Sequence, residues 1–202
     1  MNQYIEEQIR FKYGKSFEEM SDEERRQITE ITLFAEDFRG NPTGIKISDL
    51  EHFPNIQRCL IKKFNLTDYD LGVLANRESL RGVQFSNCDL RQTTSLNSSL
   101  EIVVLDGCVK VPKHFLKGSV NLRSLRVVNQ GYFDVTSLDD CSLLENVYLQ
   151  NTVIVNLMGL RRLKSLKSVN LDGSTFNLLA LQKLKGSVEI EYQSNSSPDL
   201  SR

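Results

Sequence analysis

The sequence predicts an α/β solenoid: a curved parallel β-sheet on the concave side, closed on the convex side by helical or irregular return segments. Three observations carry this expectation. First, an apolar residue followed by others at +3 and +5 recurs seven times, at Ile28/Ile31/Leu33, Ile56/Cys59/Ile61, Leu80/Val83/Phe85, Leu100/Val103/Leu105, Leu122/Leu125/Val127, Leu144/Val147/Leu149 and Leu166/Val169/Leu171. Second, the first residues of these triplets lie 28, 24, 20, 22, 22 and 22 residues apart, a period near 22 that marks a repeat architecture. Third, each triplet ends in strict alternation, so that Val147 and Leu149 point one way while Asn146, Tyr148 and Gln150 point the other. One such strand cannot bury its apolar face alone. Stacking each unit on the next pairs the strands in parallel and makes a continuous apolar column.

The elements follow in chain order. Residues 1–27 read as a helical N-terminal cap, with Tyr4, Ile5 and Ile9 on one helical face and Ser21 with Glu24 as a capping box that leads into Ile28. A solenoid needs this cap, because its first turn otherwise exposes an apolar end and an unpaired strand edge. Residues 28–192 hold seven repeats and a degenerate eighth at Ile190/Tyr192. Between the strands, Leu66/Leu71/Leu74, Leu90/Leu96, Val111/Phe115/Leu116, Val135/Leu138, Ile154/Leu157/Leu160/Leu163 and Phe176/Leu179/Leu181/Leu184 supply the apolar residues of the return segments. Residues 193–202, "QSNSSPDLSR", read as a flexible polar tail. Glu189 and Glu191 on the weak last strand discourage edge pairing, and self-association at that edge is the exception to weigh.

The segments "LRGVQFSNCDL" (80–90) and "LEIVVLDGCVKV" (100–111) resemble the leucine-rich repeat family, whose pattern is LxxLxLxxN/CxL. Cys88 and Cys108 stand at the family's Asn/Cys position, and Gln130, Thr152 and Ser174 occupy it in later repeats. The resemblance implies that this side chain sits inside the turn and bonds backbone groups of neighbouring turns. The N-terminal "YIEEQIRFKYGKSFEEMSDEERRQITEITL" is similar to the helical cap of internalin-like bacterial leucine-rich repeat proteins.

Composition narrows the function. The chain is 40% hydrophobic and 25% charged, with 25 Lys and Arg against 26 Asp and Glu, and this balance argues against a non-specific phosphate-backbone binder. Residues 1–55 carry a net charge of −5 and the remainder +4. No run of 18 apolar residues is present to span a membrane, and the charged N-terminus shows no signal peptide. The chain as it stands therefore reads as cytoplasmic, and as secreted if an export signal has been removed. "YGKSF" (13–17) mimics a phosphate loop, but Ile9 stands where that motif needs its first Gly. His52 and His114 fall on return segments of different repeats with no nucleophile in a supporting motif, so no catalytic residue is assigned and no enzyme is expected. The four cysteines lack metal-ligand spacing, and neither a metal nor a cofactor is implied. Cys88 and Cys108 occupy equivalent slots in adjacent turns, about 4.8 Å apart if stacked as neighbouring strands, so a disulfide is open there, with reduced buried thiols the expected state.

The polar side of the sheet is the candidate binding face. Its outward positions are the third, fifth and seventh of each unit. Ile102, Val104, Val128 and Tyr148 are the apolar exceptions and are expected to form one patch, with Arg126 in its middle. Asp106, Asn146 and Gln150 rim it, and Leu60 is a candidate extension. An apolar centre with an aromatic and an Arg inside a polar rim is the composition of a protein-binding hot spot. The expected function is a non-catalytic protein–protein interaction module. A regulatory subunit that modulates a separate catalytic chain is the alternative.

Overall fold

A computed structural model describes residues 2–37, 39–96, 100–184 and 188–192. The polar tail expected over 193–202 lies outside the described residues. The chain opens with α1 (Gln3–Tyr13) and α2 (Asp22–Arg26). Then come β1 (Glu30–Phe34), β2 (Arg58–Lys62), β3 (Asn65–Thr67), α3 (Asp68–Ala75), β4 (Gly82–Ser86), β5 (Asp89–Gln92) and β6 (Ile102–Asp106). The second half holds β7 (Ser124–Val128), β8 (Phe133–Asp134), β9 (Asn146–Gln150), β10 (Ile154–Val155), β11 (Ser168–Asn170), α4 (Leu178–Leu184) and β12 (Glu189–Glu191).

Eight strands form one parallel sheet in the order β1-β2-β4-β6-β7-β9-β11-β12. Its register is the sequence repeat made physical. Ile31, Cys59, Val83, Val103, Leu125, Val147, Val169 and Ile190 stand opposite one another, strand after strand. With Leu33, Ile61, Phe85, Leu105, Val127 and Leu149 they turn to the core; all of these are buried except Ile190, which is half-buried in the last strand. The degenerate eighth copy is thus a true strand, held by three residues of β11.

The returns close the core by three means. They use the helix α3, 3₁₀ turns over Ile47–His52, Val135–Leu138 and Leu157–Arg162, and short parallel pairs β3–β5 and β8–β10 that continue the ladder behind the sheet. The expected return residues are buried with few exceptions. Val111 and Phe176 are only half-buried, and Leu179 is 67% exposed. The reason is helical geometry. α4 has seven residues and turns only Leu181 and Leu184, three apart, to the core, so Leu178 and Leu179 fall on the outer face.

Each strand of the first seven turns but one leaves the sheet through a residue in the left-handed region: Lys63, Asn87, Gly107, Asn129, Asn151 and Gly173, at φ between 50° and 67°. Asn and Gly suit this position because they carry the smallest steric cost there. The next residue fills the turn. The Cys88 thiol donates to the Ile61 carbonyl at 3.4 Å and Cys108 to that of Phe85 at 3.3 Å. With its amide oriented to satisfy both ends, Gln130 donates to the Cys108 carbonyl at 2.6 Å and accepts from the Cys108 N–H at 2.8 Å. Ser174 Oγ accepts from the Thr152 N–H at 3.1 Å and donates to the Leu149 carbonyl at 2.6 Å. Different side chains perform one task here, satisfying buried backbone groups of the neighbouring turn.

The opposite rim carries a ladder of alternating charge. Arg81, Glu101, Arg123, Glu145 and Lys167 hold equivalent positions in successive repeats. They form ion pairs of 3.5 Å (Arg81–Glu101), 2.7 Å (Arg123–Glu145) and 2.5 Å (Lys167–Glu145). Slipping the stack by one repeat would set like charges opposite each other.

At the N-terminus the cap forms as the residues dictate. Asn2 caps α1, Ile5 and Ile9 are buried, and Gly14 ends the helix in the left-handed conformation with its N–H on the Arg10 carbonyl. Ser21 and Glu24 make the reciprocal capping box of α2.

Two outcomes follow for stability. Gly173→Ala loses about 1–2 kcal/mol in urea denaturation, because φ is +67° and the new Cβ meets the Asn151 amide oxygen. Glu145 is held below its ordinary 4.5 by Lys167 and Arg123, so its contribution is present above that pH and is lost as pH falls through the depressed value. The thermal midpoints of the native protein and Glu145→Gln therefore converge on acidification, and also in high salt.

Candidate functional site

The solvent side of the sheet carries three rows of side chains whose neighbours are fixed by register. In the middle row Gln84, Val104, Arg126, Tyr148 and Asn170 follow one another across β4, β6, β7, β9 and β11. In the next row Ser86, Asp106, Val128 and Gln150 do the same. Arg126 thus separates Val104 from Tyr148, and Val128 stands between Asp106 and Gln150. The four apolar side chains expected as one patch are interleaved with polar ones.

Polar partners tie the second half of this surface together. Arg126 Nη2 donates to Gln150 Oε1 at 2.9 Å, and Gln150 Nε2 donates to Asn170 Oδ1 at 3.3 Å. Asn170 Nδ2 in turn donates to Asp172 Oδ2 at 2.9 Å. Asp106 Oδ1 accepts from Asn129 Nδ2 at 3.0 Å, and Asn146 Oδ1 accepts from Ser168 Oγ at 2.8 Å. Ile102 is 43% exposed and Tyr148 37%. Val104 and Val128 are half-buried between their neighbours.

The principal concavity lies nearer the N-terminus. A groove of about 560 Å³ opens between the C-terminal half of α1 and strands β1, β2, β4 and β6. Leu60, Gly82, Gln84, Ile102 and Val104 form its floor, and Phe11, Lys12 and Tyr13 its wall. The local reason is a single side chain. Gln8 Nε2 donates to the Thr32 carbonyl at 2.8 Å and Gln8 Oε1 accepts from the Thr32 N–H at 3.3 Å, so its amide completes the edge of β1. That anchor sets the helix rotation, and Phe11 and Lys12, three and four residues on, share the Gln8 face. Phe11 is 95% exposed above the groove. Glu30 and Arg58 form an ion pair at the mouth.

Of the expected site residues, Leu60, Ile102 and Val104 come together in this groove, while Arg126, Val128, Tyr148, Asp106, Asn146 and Gln150 lie beyond it along the sheet. Phe11, Lys12, Tyr13 and Gly82 join it without having been expected. Phe11 carries a legible mark in the sequence, a large apolar residue off the Ile5/Ile9 face. Gly82 makes room by lacking a side chain at an outward position, where a Cβ would touch Ile102 and Arg58 at ordinary distances of 3.5 and 3.6 Å.

The remaining chemical groups sit apart. His52 is exposed and meets Phe17 edge-on at 6.3 Å between centroids, and His114 is exposed on its own return segment. All four cysteines are free and buried. Burial pushes the Cys59 thiol up to about 12, and burial with Asp140 and Asp139 does the same at Cys141. The hydrogen bond with Cys88 and burial raise Cys108. Among the described residues no helix is long and apolar enough to cross a membrane.

A parallel sheet built on a 22-residue period, with a polar or thiol slot at each turn and short convex returns, is the architecture of a leucine-rich repeat solenoid. Internalin C2 of Listeria monocytogenes is similar in structure, with a TM-score of 0.55 and 19% sequence identity over 95% of this chain and 93% of that one. This likeness concerns the fold. No family model and no curated protein matches the chain.

The thiols supply a direct check on the turn chemistry. An aromatic disulfide reagent at mildly alkaline pH is expected to leave all four cysteines unmodified in the native protein and to titrate four after denaturation in guanidinium chloride. Rapid modification of any one in the native state contradicts its buried position.

Proposed function

We propose that the protein is a non-catalytic interaction module that receives a partner protein on the concave face of its sheet. The observation that carries this reading is the groove of about 560 Å³ under α1, open on the sheet and floored by Leu60, Ile102 and Val104. Its volume lies within the range of about 300–1,000 Å³ common to binding pockets. Solvent exposure of Phe11, Ile102 and Tyr148 on one side of the molecule supports it, since exposed aromatic and aliphatic groups within a polar rim are what a partner can desolvate. Arg126 offers a planar set of donors beside them, of which one is engaged by Gln150.

Docking then requires little rearrangement. The rows stand on a sheet whose inner face is locked in the core, so the outward groups are presented at fixed spacing and little ordering cost is incurred on binding. Leu60, Ile102 and Val104 supply the buried centre, and Arg126, Gln150 and Asp106 the hydrogen-bonding border.

An affinity pull-down from the native source, followed by titration of the recovered partner, tests the reading. The triple variant Val104→Glu, Val128→Glu, Tyr148→Ala should lose the partner by at least about thirtyfold in Kd while keeping its native circular dichroism. Gly82→Leu, which fills the groove floor without backbone strain, should weaken binding comparably. Retention of the same partner with unchanged affinity by both variants would move the interaction to the convex side, an edge or the cap.

A further inference from the structure

The charges around the groove are unevenly satisfied. Among the described residues Lys12, Lys62 and Arg126 have no carboxylate in ion-pair contact. Lys12 lies over the Tyr13 ring at 5.4 Å, Lys62 over the Phe34 ring at 5.4 Å, and Arg126 bonds the neutral Gln150 amide. The nearby carboxylates are already engaged, Glu30 by Arg58 and Asp106 by Asn129. The far end of the same face is the reverse, with Asp172 on the turn after β11 and Glu189 and Glu191 on β12. The concave surface is therefore cationic beside its apolar groove and anionic at its other end, although the first 55 residues of the chain are net acidic.

We infer that the groove under α1 takes an apolar side chain from an acidic, extended segment of a partner protein, whose carboxylates pair with Lys12, Lys62 and Arg126. This rests on the concave-face reading and deepens it by naming the partner's chemistry. Three cations spaced around an apolar floor fit a segment that alternates carboxylates with a large apolar anchor. A polyanion without apolar groups would leave Phe11, Leu60 and Ile102 in water and gain only the charge contacts. A basic segment would meet Lys12, Lys62 and Arg126 with like charge, a juxtaposition that costs affinity.

The probe is a random twelve-residue peptide display library selected on the intact protein, with the selected peptides synthesised and titrated. Support is a set of peptides that combine Phe, Leu, Ile or Met with several Asp or Glu. Their affinity should fall at least about tenfold with Lys12→Glu, Lys62→Glu, fall comparably with Phe11→Ser, and weaken with salt. Selected peptides that are basic or uncharged overturn the inference, as does indifference to the double charge reversal. Failure to select any peptide overturns it too. So does a short single-stranded oligonucleotide that binds as tightly as the peptides, or a dimer that sediments as such and dissociates with Phe11→Ser, which would make a second copy the occupant. The two readings fail differently. A native partner lost with Val104→Glu, Val128→Glu, Tyr148→Ala but kept with Lys12→Glu, Lys62→Glu defeats the acidic-segment inference alone. One kept by both defeats the concave face as well.

Discussion

The inward column of the sheet is the constraint on which everything else rests. Ile31, Cys59, Val83, Val103, Leu125, Val147 and Val169 lie opposite one another on successive parallel strands, with a second column from Leu33 to Leu149 two residues on. No strand of five residues could hold this apolar face out of water by itself. Each turn is stable because its two neighbours bury it. Because side chains alternate along a strand, fixing the inward column also fixes every outward group.

Two rims defend that register. At one, a left-handed residue and a turn-filling side chain join each repeat to the one before, with Cys88, Cys108, Gln130, Thr152 and Ser174 interchangeable in role though not in chemistry. At the other, the alternation from Arg81 to Lys167 makes the correct neighbour attractive and the next one repulsive. The solenoid ends are handled separately. Gln8 closes the edge of β1 with its own amide, while β12 keeps an edge flanked by Glu189 and Glu191. The closure by Gln8 brings α1 over the sheet and creates the groove, so the device that protects the edge also builds the candidate site.

The strands were legible because an apolar period needs only residue identity to be read. Ile190 was recoverable as a strand residue from spacing alone, even with Glu on both sides of it. The left-handed exits at Asn87, Asn129 and Asn151 were also present in the sequence as a run of Asn and Gly at one position, but their role shows only when the turns are stacked. The site was half legible. Leu60, Ile102 and Val104 follow from alternation, whereas Phe11 and Lys12 depend on how a helix crosses a strand 20 residues away, which no local pattern encodes. The interruption of the expected patch by Arg126 is a matter of rows. Adjacent strands bring Val104, Arg126 and Tyr148 into line, and the apolar Val128 falls in the next row beside Asp106.

The central claim is that the register of the inward column presents one face, and one groove in it, to a partner. Hydrogen exchange read by mass spectrometry on the protein alone and with its recovered partner tests this most directly. The account predicts slowed exchange in the second half of α1 and along β1, β2, β4 and β6, with the convex segments over Val135–Leu138 and Leu157–Arg162 unchanged. Protection confined to those convex segments, with α1 and the sheet unaffected, would contradict it.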